Sequence, residues 1–168
     1  MSTVQTQKNE ECCPEFHPEK WDNKTLNWNQ KPFIKETIPT FFHMPLPKMI
    51  GKKVTKMMKL AENTNNISTD KLDVLLLFND PSAFKSNMYL SVIGNVPNAN
   101  NTTITGTFIG KVFDGTYNQI PKFIKQMNSY LKDHDKKTKD YYTHYAYCPK
   151  CARKFGHNYM ILFAEITQ

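Results

Sequence analysis

The sequence predicts an α+β domain made of two βαββ repeats, and three observations predict it. The chain has 168 residues, 39% of them hydrophobic, a size and composition that suit one well-buried domain and are short for two. Tyr117, Ile120, Ile124, Met127 and Leu131 recur at spacings of three and four, the period of one helix face. The runs flanking that helix alternate with a period of two in aromatic and β-branched residues, the pattern of strands.

Residues 1–11 are polar, lack the apolar core of a signal peptide and read as a disordered tail. Residues 12–37 follow, with both tryptophans, Trp21 and Trp28. Pro14, Pro18 and Pro32 argue against a long regular element there, so the segment reads as a strap or lid whose rings bury themselves against the remaining domain, 38–168.

Ile38 to Leu46 reads as the first strand, with prolines at its ends. Ile50, Val54, Met57 and Ala61 then share a helix face between Lys48 and Glu62. Asp73 to Phe78 is a continuous apolar run suited to a buried strand, and Met88 to Ile93 makes the next one after the break at Asp80-Pro81-Ser82. That completes one strand, helix, strand, strand unit.

The second unit begins after the turn-rich residues 97–101. Thr102 to Phe113 is a long strand pattern in which Gly106 and Gly110 indicate a bulge, a bend, or close approach of another backbone or a ligand. Thr116 to Gln119 has the form of a capping box, but Asn118 as N-cap better places Pro121 in the first helical turn. Tyr141 to Cys148 and Tyr159 to Ile166 are the closing strands.

Formal charge is +7, yet Arg153 is the one arginine. Nucleic-acid readers lean on the guanidinium fork, so the charge reads as a solvated lysine surface and the partner is not nucleic acid. No apolar run approaches the roughly 20 residues of a membrane span, which makes a cytoplasmic protein the default. There is no Gly-x-Ser-x-Gly elbow, His-Glu-x-x-His or phosphate-binding loop motif.

Cys148-Pro149-Lys150-Cys151 has the two-residue spacing that lets two thiolates share one metal, and Cys12-Cys13 supplies a second pair. A structural zinc site is one reading, with His17 or His157 as substitutes for one cysteine. Inert buried thiols and redox chemistry are the others, the last favoured by Lys150, Arg153 and Lys154 nearby. No other cofactor is required.

Phe113-x-Gly115-x-Tyr117, the amphipathic helix, Tyr145 four residues before Pro149, and the closing aromatic strand together resemble the DNA gyrase inhibitor-like small-molecule-binding family. Cys12-Cys13-Pro14-x-Phe16, Trp21-Asp22-x-Lys24 and Cys148-Pro149-Lys150-Cys151-Ala152 are similar to a stand-alone bacterial subgroup labelled hydrolases. The resemblance implies a SOUL-like fold with pseudo-twofold symmetry, two helices on one face of a curved antiparallel sheet and a ligand cleft on the other. It also implies multidrug-type binding or, in one branch, hydrolysis of cyclopropanoid toxins.

In the last strand, Met160, Leu162, Ala164 and Ile166 form an aliphatic face suited to lie under helices. Tyr159, Ile161, Phe163 and Glu165 form the other, which is the expected cleft. The ligand-binding candidates are Tyr141, Tyr145, Tyr147, Tyr159, Phe163, Trp21 and Trp28, with Glu165 as the carboxylate that pairs with a cation or acts as general acid or base. Glu15, Asp22, His17, His43 and His144 are further proton carriers.

The expected function is binding of an aromatic or cationic small molecule by a monomer or homodimer. Hydrolysis of a reactive small molecule in the same cleft is the alternative, and inhibition of a topoisomerase-like protein the third reading.

Overall fold

A computed structural model describes residues 13–167. Its first strand, β1, runs from Lys24 to Phe41. The expected strap over 12–37 is therefore corrected: from Lys24 onward it belongs to the sheet. Two features conceal this in the sequence. The strand is irregular between Trp28 and Lys31, where Gln30 takes a φ of 50°, and the irregularity interrupts the alternation. Pro32 lies where the strand changes partner, since residues up to Ile34 pair with one neighbour and residues from Phe33 pair with another.

After β1 come β2 (Met44–Pro45), α1 (Pro47–Asn63), β3 (Leu76–Ser82) and β4 (Lys85–Ser91). The second copy is β5 (Asn101–Asp114), α2 (Ile120–Asp133), β6 (Lys137–Tyr145) and β7 (Tyr159–Thr167), with a short helix α3 (Pro149–Phe155) between the last two strands. The two βαββ repeats stand as expected, and α3 is an addition. Its 7 residues are too few for a hydrophobic period to show in the sequence.

All pairings are antiparallel, and the strands follow the order β1-β4-β3-β6-β7-β5, with β5 returning to β1. The curved sheet therefore closes on itself, like strand joining like strand between the repeats. The two joints differ greatly in length. β1 and β5 pair from Lys24 opposite Gly110 to Ile34 opposite Asn101. β3 and β6 pair only at Leu77 opposite His144 and Phe78 opposite Thr143.

Both helices lie on the outer face. Met57 and Ala61 of α1 bury against Ile34, Ile38, Met88 and Leu90. Phe123, Met127 and Leu131 of α2 bury against Ile109, Phe113, Met160, Leu162 and Ala164, with Phe113 and Phe123 stacked at 4.7 Å. The aliphatic face of β7 does lie under a helix. The N-cap assignment to Asn118 is corrected, because Thr116 carries the capping box and starts a short 3-10 turn at Tyr117–Gln119. Pro121 then falls in the first turn of α2, where no N–H is required of it.

The inner face holds Trp21, Phe33, Leu75, Leu77, Ile104, Phe108, Ile161 and Phe163 in one cluster, with Phe16, Trp28 and Tyr142 packed against it. Phe33, Phe108, Ile161 and Phe163 are fully buried; burying each such side chain favours folding by about 1.5–3 kcal/mol. Gly110 permits the close backbone approach that its position in a strand suggested, since a Cβ there would come within 2.9 Å of the Trp21 carbonyl oxygen. No helix among the described residues is long and apolar enough to cross a membrane.

Candidate functional site

The short joint between β3 and β6 is where the closed sheet opens. Past Leu77, Leu76 keeps its pairing with Leu90 of β4, but on the β6 side it meets the His144 side chain, whose Nδ1 lies 3.2 Å from both the amide and the carbonyl oxygen of Leu76. One imidazole tautomer accepts from the N–H and the other donates to the C=O. Desolvation pushes the His144 pKa down to about 4, against which its hydrogen bond to the Leu76 carbonyl works only partly. The ring is therefore neutral at pH 7.

Three segments surround this opening. Residues 13–21 cross above it, anchored where the Val112 N–H donates to Asp22 Oδ1 at 2.9 Å and the Phe16 N–H donates to Tyr147 Oη at 2.8 Å. Met58 and Glu62 come from the last turns of α1, and residues 67–74 close the far side. Together they enclose a groove of about 370 Å³. Phe16, Trp21, Met58, Ile67, Leu72 and Val74 make its apolar walls, while Cys13, Glu62, Ser68, Lys71 and His144 supply polar groups.

Trp21 connects the groove to the aromatic interior, meeting Phe163 edge to face at 5.9 Å. A second hollow, of about 280 Å³, lies against the end of α2 and is lined by Asn128, Leu131, Lys132 and residues 135–138. No aromatic ring is among its described lining residues.

The aromatic residues nominated from sequence divide among four places. Trp21 is in the groove wall. Trp28 and Phe163 lie in the interior, Trp28 against Phe108 at 4.4 Å and Phe163 at 5.7 Å. Tyr147 lies just beyond β6 and stacks on Phe155 at 4.8 Å, and Tyr159 packs on Phe16 at 5.3 Å and on His157 at 4.6 Å. These last two therefore support the segment that forms the groove wall.

Tyr141 and Tyr145 require a correction, because they do not share a face with Phe163. The register puts Tyr142 opposite Phe163 and His144 opposite Ile161, so those side chains point inward. Tyr141 and Tyr145 pair with Ala164 and Met160 and lie on the helix side. There the Tyr141 hydroxyl donates to Asn128, and Tyr145 packs against Phe78 and Tyr117. Burial raises the pKa of both tyrosines.

Glu165 sits away from the groove. Its Oε1 is 3.4 Å from Lys139 Nζ and would lie 3.2 Å from a Cβ at Gly106. Among the other proton carriers weighed, Asp22 holds the Val112 amide, His17 pairs with Glu19 at 3.3 Å and His43 with Asp80 at 3.5 Å. Glu15 is exposed. Of the proton carriers nominated from sequence, His144 alone lines the groove.

Sequence reasoning missed Met58, Glu62, Ile67, Leu72 and Val74 as lining residues. No spacing rule links positions that meet only because one joint of the sheet is short. Of the four cysteines, Cys12 lies outside the described residues. Cys13, Cys148 and Cys151 converge, with every sulfur within 4.8 Å of the other two.

The sequence profile of a family described as Bacterial hydrolase matches residues 3–166. No curated protein is significantly similar in sequence. Among solved structures, an uncharacterized conserved protein from Listeria innocua superposes with a TM-score of 0.64 at 9% identity, over 88% of this chain and 94% of that one. The protein SAV2435, solved with tetraphenylphosphonium bound, superposes with a TM-score of 0.53 at 11% identity, over 86% of this chain and 93% of its own. At these identities the two structures share the fold with this chain.

Proposed function

The chain belongs to the bacterial hydrolase family, and from that premise we propose that it binds an aromatic or amphipathic small molecule in the groove at the β3–β6 joint. One observation carries the reading: a hollow of about 370 Å³ with mainly apolar walls, two aromatic rings and a few polar groups. That is the ordinary make-up of a small-molecule site. Glu62 and the Phe16 ring favour a ligand with positive charge, through ion pairing and the ring quadrupole, while the Trp21 ring already has the Lys20 ammonium 5.5 Å from its centroid. The bound molecule of the structural neighbour SAV2435 has that chemistry and makes a suitable probe.

Titration with tetraphenylphosphonium should change tryptophan fluorescence to saturation, because Trp21 lines the groove. Ile67→Lys, which places a positive charge in the wall, should weaken binding by about tenfold or more, corresponding to about 1.4 kcal/mol. An unsaturable signal, or equal affinity in a variant with unchanged circular dichroism, contradicts the reading.

Hydrolysis in the same groove is the second reading, favoured by the family and by the presence of Glu62 and His144 in one hollow. A neutral imidazole with a pKa near 4 is a weak base at pH 7, so its part is to donate or accept a hydrogen bond while Glu62 handles the proton. Mass-spectrometric detection of a water adduct from a strained electrophile, lost in Glu62→Gln, separates turnover from binding.

A further inference from the structure

Cys13 and Cys148 are 135 positions apart in the chain, yet the Cys148 N–H points at the Cys13 sulfur at 3.4 Å. Cys148 is the N-cap of α3 and Cys151 lies in its first turn, which turns both thiols toward the same side. Segment 13–21 brings Cys13 to them. All three sulfur atoms lie within 4.8 Å of one another. Thiolates bound to tetrahedral zinc at about 2.3 Å stand about 3.8 Å apart, so a contraction of no more than about 1 Å reaches ligand distance.

We propose that Cys13, Cys148 and Cys151 form a zinc site that clamps segment 13–21 to the β6–α3 junction. The donor set narrows the metal: three soft sulfurs, with no carboxylate joining them among the described residues, suit a thiophilic ion such as zinc and do not suit magnesium or calcium. Binding takes a proton from each thiol, and the metal offsets the resulting negative charge. The Cys148 N–H is the kind of outer contact that steadies a metal-bound thiolate.

The site also has a mechanical consequence. Cys13, Phe16 and Trp21 belong to the groove wall, and Phe16 is pinned by Tyr147 next to Cys148. Metal at the three sulfurs fixes that wall against the closing strands. This inference does not depend on the ligand reading, because the metal is measured without any ligand.

The test uses the full chain, untagged, reduced and purified without oxygen. Zinc should remain at about one ion per chain after dialysis, and replacement by cobalt(II) should give the sulfur-to-cobalt charge-transfer bands and visible spectrum of tetrahedral thiolate coordination. Cys148→Ser, at a half-exposed position, should lower affinity at least about tenfold. In Cys12→Ser, an altered cobalt spectrum means a closed four-sulfur set and an unaltered one means three sulfurs with an outside ligand; both keep the site.

Wild-type protein that is folded by circular dichroism but binds neither zinc nor cobalt overturns the proposal. A disulfide between any two of these cysteines that persists in the reducing buffer does the same. So does full metal content in the double variant Cys148→Ser, Cys151→Ser.

Discussion

The two joints between the repeats can be compared directly, since each brings equivalent strands of the two copies together. The β1–β5 joint extends over most of both strands, with Phe108 buried and Leu26 and Trp28 partly buried beneath it. The β3–β6 joint ends after Phe78 and Leu77, and a histidine side chain replaces the next backbone partner. One side of a near-symmetric fold therefore serves as a closed wall and the other as an opening. The polar groups that a ligand could meet are at the open joint, while the closed one contains packed rings.

The largest effect should come from loosening the closed joint. Phe108 is fully buried and meets Trp28 at 4.4 Å and Tyr142 at 5.8 Å. Phe108→Ala should lower stability by about 3–5 kcal/mol, measured by denaturant unfolding. A loss below about 1 kcal/mol, the scale of an ordinary surface change, would mean that this joint is not the packed wall described.

A smaller, pH-dependent effect should appear at the open joint. The folded His144 has a pKa of about 4 against an ordinary 6.5, so above pH 6.5 both states are neutral and stability is complete. As pH falls from 6.5 toward 4, the unfolded chain takes up a proton that the folded one does not, and stability drops by about 1.4 kcal/mol per unit, up to about 3 kcal/mol. Below about 4 the folded imidazole is also protonated and the slope ends. His144→Gln should remove that slope between pH 6.5 and 4 relative to wild type; equal slopes would mean that His144 is solvated.

The sequence made the second repeat far more legible than the first, for reasons visible in particular residues. In β7 a single clear period marks the buried face, and in α2 the spacing finds Met127 and Leu131 on it but misses the buried Phe123 and includes Tyr117, which precedes the helix and is exposed. β1 could not be read to its start because the irregularity after Trp28, with Pro32 just beyond it, breaks its alternation. Phase failed in β6 for a different reason. Tyr141 and Tyr142 offer aromatic rings to both faces, and only pairing with Ala164 and Phe163 decides which one is inside. The Cys-x-x-Cys spacing was legible, but the lining of the groove was not, since it is assembled from segments with no shared pattern.

The central claim, that the open joint is the ligand site, is tested most directly by methyl NMR of the protein labelled at methionine. Met58 lines the groove, whereas Met44 lies beside Phe41 on an exposed apolar end that includes Phe42 and Phe84. Titration with tetraphenylphosphonium should shift the Met58 methyl signal in a saturable way and leave Met44 in place. A shift at Met44 with Met58 unmoved would contradict the account and locate small-molecule binding at the exposed aromatic end.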